Sequence, residues 1–170
     1  MCILTYRKFL FLIQRLNFDY KYLLTFFVVG GRIVVMKKKV SSKIAKCLCE
    51  GVKIKVKGKL RHVINCHCSQ CMKTHGNYAA YTACLEDDIT FINKKSLKWY
   101  KSSNIAKRGF CSVCGASIFY KLLKSRNISI AAGMFRNPTK LKTHSNIFTK
   151  VKLDYYKLDL RLPKFEKYSK

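Results

Sequence analysis

Seven of the nine cysteines fall into three tight clusters: Cys47 with Cys49, Cys66 with Cys68 and Cys71, and Cys111 with Cys114. Neighbouring thiols at such spacing cannot reach good disulfide geometry with each other, but they make good joint ligands for a soft metal. In the C-x-x-C-G of residues 111–115 a turn aims two thiolates at one ion, and Gly115 permits the tight backbone. Joined to the C-x-C, it closes a tetrahedral four-cysteine site, a staple between sequence-distant segments. Cys66, Cys68 and Cys71 then stand apart with a fourth position open, as catalytic zinc sites do for water or substrate. Spacing leaves an alternative, in which His67 or His75 closes that site. His67 lies between two ligands, so its side chain should point away from the ion, and His75 is better placed. Outside a ligand role, both read as surface or loop histidines. Cys84 reads as a small buried hydrophobe and Cys2 as a stray terminal thiol.

The elements that must position these thiols are strands. "VKIKVKG" at 52–58 sets Val52, Ile54 and Val56 against lysines in strict alternation, the period of a half-buried strand. Further strands are expected at 78–83, 88–92, 97–102, 116–122, 128–133 and 146–151, several ending at Gly, Asn or Ser. "CLC" precedes the first of them and "FCSVCGAS" a later one. No long stretch has helical periodicity, only 2 prolines occur, and there is neither a repeat nor a low-complexity linker. The expectation is a mainly β, single zinc-stapled domain of small antiparallel sheets with few short helices.

Length and composition agree: 170 residues, 49% of them hydrophobic, suffice for one compact domain with a core and a tail. Residues 1–35 read as a poorly defined extension, and Met36, followed by "KKKV", is the expected start of the domain at 36–170. "FLFLI" and "YLLTFFVVGG" are too short and too interrupted for a membrane span, which needs about 20 apolar residues. A surface-lying amphipathic helix is the second reading for that extension. No clear secretory signal is present, so reduced thiols and the cytosol are expected.

Charge is lopsided, with 35 Lys+Arg against 8 Asp+Glu and a formal net charge of +27. Such a field attracts polyanions. Yet 27 of the basic residues are Lys and only 8 Arg, spread over the whole length, whereas arginine is the preferred reader of phosphates and bases. A non-enzymatic zinc module that binds nucleic acid, with Trp99, Tyr100 and Lys101 available to stack on bases, is the alternative reading. Trp99 and Tyr100 read more simply as strand residues packing on the core. A small anionic substrate would profit from the same field.

The succession "CLC", "CHCSQC", "WYKSS" and "RGFCSVCGAS", from about Lys46 to Phe165, resembles the glutathione-dependent formaldehyde-activating enzyme family, which includes centromere protein V. The resemblance implies a β-sheet domain of the β-tent type with two zinc ions per chain. It implies a structural ion on Cys47, Cys49, Cys111 and Cys114, and a catalytic ion on Cys66, Cys68 and Cys71. The implied activity is that of a carbon–sulfur lyase, condensing glutathione or a similar thiol with formaldehyde or another small carbonyl. No protein nucleophile is then required, consistent with the absence of a Ser/His/Asp arrangement. Glutathione carries two carboxylates, so Arg108 within the motif and Lys73 beside the cluster are the candidate substrate contacts. Ser102 and Ser103 fall in the motif too. Two departures stand out. Glu50, then Gly51, follows the C-x-C where the family usually has Gly. The family's closing "HIF…W" appears as Asn146, Ile147, Phe148 and Tyr155, with Tyr155 expected to keep the packing of the tryptophan.

Overall fold

The computed structural model describes residues 22–29, 32–39 and 42–168, in two compact units that divide between Ser41 and Ser42. In the first unit β1 (Tyr22–Val29) pairs antiparallel with β2 (Arg32–Lys39), in register from Tyr22 with Lys39 to Val29 with Arg32. The extension is thus a strand pair over these residues rather than an amphipathic helix. "YLLTFFVV" and "RIVVM" are rich in β-branched and aromatic residues, and Gly30-Gly31 separates them. "FLFLI" and Cys2 lie outside the described residues. No helix among the described residues is long and apolar enough to cross a membrane.

The second unit is mainly β. Its smaller sheet has the order β3 (Ser42–Lys46), β4 (Lys53–Lys57), β7 (Ile89–Asn93), all antiparallel. Its larger sheet has eight strands. Six of them are β5 (Val63–Cys66), β6 (Ala79–Leu85), β8 (Leu97–Ser103), β9 (Ala106–Cys111), β10 (Ser117–Leu122) and β11 (Asn127–Ala131). With β12 (Thr143–Ile147) and β13 (Lys164–Phe165) the spatial order is β13-β12-β5-β6-β11-β10-β9-β8. This sheet is mixed, because β12 lies parallel to both β5 and β13. One seven-residue helix, α1 (Ser69–His75), joins β5 to β6 and ends at Gly76.

The alternation expected at 52–58 holds: Val52, Ile54 and Val56 are buried while the lysines between them are not. They meet Cys84, Ile118, Phe119, Ile128 and Ile130 from one face of the larger sheet, and this is the main core. Trp99 stacks on Phe119 with ring centroids 5.5 Å apart. The period of two sends the intervening residues, Tyr81, Arg108, Tyr120 and Ser129, to the opposite face, where they line a cleft. The strand expected at 146–151 is displaced to β12, with Thr149–Val151 forming a 3-10 turn instead. Strands β3, β5, β9 and β13 lie outside the expected set. β5 is four residues long and β13 two, too short to show a period, and β9 carries Lys107, Arg108 and Gly109 in its middle. The "CLC" therefore follows a strand instead of preceding the first one.

Candidate metal centre and cleft

The four-cysteine cluster is built from two turns. After β3 the chain reverses through Cys47 and Cys49, with the Glu50 N–H donating to Cys47 O at 3.1 Å and the Val52 N–H to Cys47 Sγ at 3.3 Å. After β9 a second reversal places Cys114, whose N–H points at Cys111 Sγ 3.5 Å away, and Gly115 takes a φ of +71°. That left-handed backbone is the reason for glycine in C-x-x-C-G. Gly51 is required for a different reason, since a Cβ there would lie 2.2 Å from Ser96 Oγ. The Ser96 hydroxyl in turn contacts Cys111 Sγ at 3.1 Å.

All four sulfurs lie within 4.8 Å of one another, with 3.7 Å between Cys47 and Cys49 and 3.5 Å between Cys49 and Cys111. Tetrahedral zinc with Zn–S of about 2.3 Å demands sulfur–sulfur spacings of roughly 3.8 Å. The donor set fits zinc. It also ties the β3–β4 hairpin of the smaller sheet to the β9–β10 hairpin of the larger one.

The three-cysteine cluster is built from a strand end and a helix. Cys66 closes β5, Cys68 is the N-cap of α1, and Cys71 lies three residues on, on the same face of the helix. Their sulfurs too lie within 4.8 Å of one another. Hydrogen bonds from the Cys66 and Cys71 thiols hold Cys68 down to about 2, and the same contact pushes Cys66 far up. Three thiols this close suit a divalent cation, whose binding would release their protons. This set also fits zinc, with three protein ligands.

The cluster opens into a cleft of about 1360 Å³ on the face of the larger sheet opposite the core. Arg108 is buried beside it, its Nη2 3.2 Å from Gln70 Oε1 and 3.6 Å from Cys71 Sγ, its guanidinium over the Tyr120 ring. Among the described residues it forms no ion pair with a carboxylate. Its partner is the anionic sulfur cluster. Lys73 lies on the exposed side of α1 and does not line the cleft. Ser103 lines the cleft rim, while Ser102 donates to Ala106 O at 3.3 Å and accounts for a turn.

Neither histidine is a surface residue. His67 does point away from the sulfurs, as expected, and is itself fully buried, between a buried Asn146 and a half-buried Tyr156. Its Nε2 lies 3.0 Å from Asn146 Oδ1 and its Nδ1 2.6 Å from the Tyr156 hydroxyl. An amide oxygen only accepts, so Nε2 carries the proton and Nδ1 accepts from Tyr156. Burial lowers its pKa and keeps the ring neutral. His75 is partly buried, with Nδ1 engaged by Thr74 Oγ1 at 2.8 Å and facing Cys71 O at 3.1 Å. It stands outside the sulfur cluster, and its Nε2 has no partner.

Asn146, where the family usually has histidine, therefore serves as an acceptor for His67 and for Asn65 Nδ2 at 3.4 Å. Tyr155 does not supply a tryptophan's packing. It is 61% exposed and its hydroxyl donates to Gly76 O at 2.8 Å, while the neighbouring Tyr156 stacks on His67. Trp99 is likewise unavailable for base stacking, covered by Phe119 and with Lys107 over its ring.

Tyr81 and Tyr120 escaped the sequence reading. Tyr81 packs directly on the three-cysteine cluster and lines the cleft, and burial raises its phenol pKa. The signal was present in "YAAYTA", where Tyr81 shares a strand face with Ala79, the residue paired with Cys66. It needed the register to be seen.

A family model described as glutathione-dependent formaldehyde-activating enzyme matches residues 42–151, well over half of the chain. The chain belongs to that family. The match begins at the first residue of β3 and takes in both cysteine clusters, Arg108 and Asn146. The family and the two donor sets agree on zinc. No curated protein matches the chain. Among solved structures, that of a Rhodobacter sphaeroides protein is 21% identical, covering 59% of this chain and 98% of that one with a TM-score of 0.47.

Proposed function

We propose that this protein is a zinc-dependent carbon–sulfur lyase that joins glutathione, or a thiol like it, to formaldehyde or another small aldehyde at the three-cysteine site. The observation that carries the reading is the pairing of two unlike sulfur clusters. One has four ligands and sits between two hairpins, and the other has three and opens into the cleft. The first holds a structural ion through Cys47, Cys49, Cys111 and Cys114, and the second a catalytic ion through Cys66, Cys68 and Cys71. Zinc in the second supplies a position at which an incoming thiol is ionised near neutral pH. His75 is a poor fourth ligand on this reading, because its ring nitrogens stand outside the sulfur cluster.

Arg108 balances the anionic cluster and favours an anionic substrate nearby, since a buried guanidinium stays charged. Lys73 contributes at most to the general positive field. A cleft of about 1360 Å³ exceeds the roughly 300–1,000 Å³ of ordinary ligand sites and leaves room for a tripeptide. The working domain on this reading is the unit that begins at Ser42, acting in the cytosol.

The test is calorimetric titration of glutathione into the full chain loaded with two zinc ions at physiological salt. Saturable binding that vanishes in Cys68→Ser is expected. An absence of heat, with both ions confirmed present, would sink the glutathione assignment.

A further inference from the structure

We infer that Tyr81 is a catalytic residue, its phenolic O–H donating a hydrogen bond to the aldehyde oxygen as the carbon–sulfur bond forms. This deepens the proposed reaction and rests on it. Three observations on Tyr81 converge. The side chain is only 6% exposed, and what remains open lies in the cleft. It packs against Cys71, with Cys66 and Cys68 completing the same cluster, so its phenol stands where a substrate sulfur would be received. The Arg108 guanidinium lines the same cleft. Arginine only donates, so it cannot take the phenolic proton. That proton has no acceptor among the described residues. A hydroxyl with a free proton, on a side chain that lines a substrate cleft, suits an oxygen arriving with the substrate.

The register explains why Tyr81 is held so firmly. It pairs with Ile64 on β5 and with Ala131 on β11, at the centre of the larger sheet. Its ring meets His75 edge-on at 5.5 Å, which fixes the ring between helix and sheet. Donors that need no reorganisation are the ones that stabilise developing charge best.

The step balances without a further reagent. A sulfur lone pair of the thiolate forms the new C–S bond and the carbonyl π pair moves onto oxygen. The proton that the thiol released returns to that oxygen through solvent, while Tyr81 keeps its own. Thiol and aldehyde together give the S-hydroxymethyl adduct.

Tyr81→Phe removes only the hydroxyl. In the zinc-loaded full chain, kcat should fall roughly 100-fold with KM for glutathione little changed, the cost of losing one preorganised donor. Calorimetric affinity for glutathione should be preserved, while affinity for S-hydroxymethylglutathione, titrated with excess formaldehyde, should drop about tenfold. Turnover equal to the unsubstituted protein would overturn the assignment. So would an equal loss of glutathione and adduct affinity, which would make Tyr81 a thiol contact. A measurement on the unsubstituted protein is independent of how the variant folds. S-methylglutathione, which lacks the oxygen, should bind at least tenfold more weakly than the hydroxymethyl adduct, and equal affinities would reject an oxygen-reading donor. Failure of the unsubstituted protein to bind glutathione at all would instead remove the parent reaction, and this inference with it.

Discussion

At the scale of single residues, the departures from the family pattern have physical readings. Glu50 occupies the position where glycine is usual, and its φ is +57°, in the left-handed region that costs a residue with a Cβ. The carboxylate is held by Lys46 and Lys53, but these pairs are exposed and stabilise little. Glu50→Gly should therefore raise Tm by roughly 1–3 °C, the relief of strain outweighing two surface ion pairs and glycine's extra chain entropy. Thermal melting followed by circular dichroism decides this, and a lower Tm would mean that the ion pairs matter more than the backbone. Asn146 is the second departure. It can accept a hydrogen bond but cannot carry a proton, so that position holds His67 in place and does no acid–base work.

At the scale of elements, the segment after β12 is pinned across the site by two adjacent tyrosines. Tyr155 reaches Gly76 at the end of α1, and Tyr156 reaches His67 between two of the cysteines. Lys152 Nζ closes the segment on itself by donating to Tyr156 O at 2.9 Å. Tyr156→Phe leaves His67 Nδ1 without a donor inside a partly buried network, a loss of about 1–2 kcal/mol. A Tm several degrees lower, with zinc content unchanged, is the expected result. Zinc lost in parallel would show that the network also positions Cys66 and Cys68. The helix α1 carries the same lesson for the site. Its seven residues are too few to show a helical period, but Cys68 at its N-cap and Cys71 one turn on need that helix to converge.

At the scale of the whole molecule, the two clusters bear unequal loads. The four-cysteine centre joins two sheets whose shared core includes Cys47 and Cys111 themselves. The three-cysteine centre hangs on the face of one sheet opposite the core. A chelator should therefore remove zinc in two phases. The first ion should leave fast with loss of glutathione binding and little change in secondary structure, and the second slowly together with unfolding. Metal released against time, read with a chromogenic indicator beside circular dichroism, resolves the phases. A single phase that unfolds the protein would make both ions structural.

The sequence alone determined the three cysteine clusters, the mainly β class and six of the strands, because metal-ligand spacing and strand alternation are local patterns that need no partner to be read. It also carried the family, since the motifs hold their order along the chain. The joining of Cys47 and Cys49 to Cys111 and Cys114 belongs to the tertiary structure. Only the tertiary structure decided what each ligand set faces. Strand register brings Tyr81 opposite Ile64 and so onto the sulfurs, and the parallel pairing of β12 with β5 sets Asn146 beside Asn65 and within reach of His67. Burial then turns two histidines expected at the surface into neutral groups under the site. Those outcomes depend on contacts between residues as far apart as 67 and 156, which local spacing does not encode.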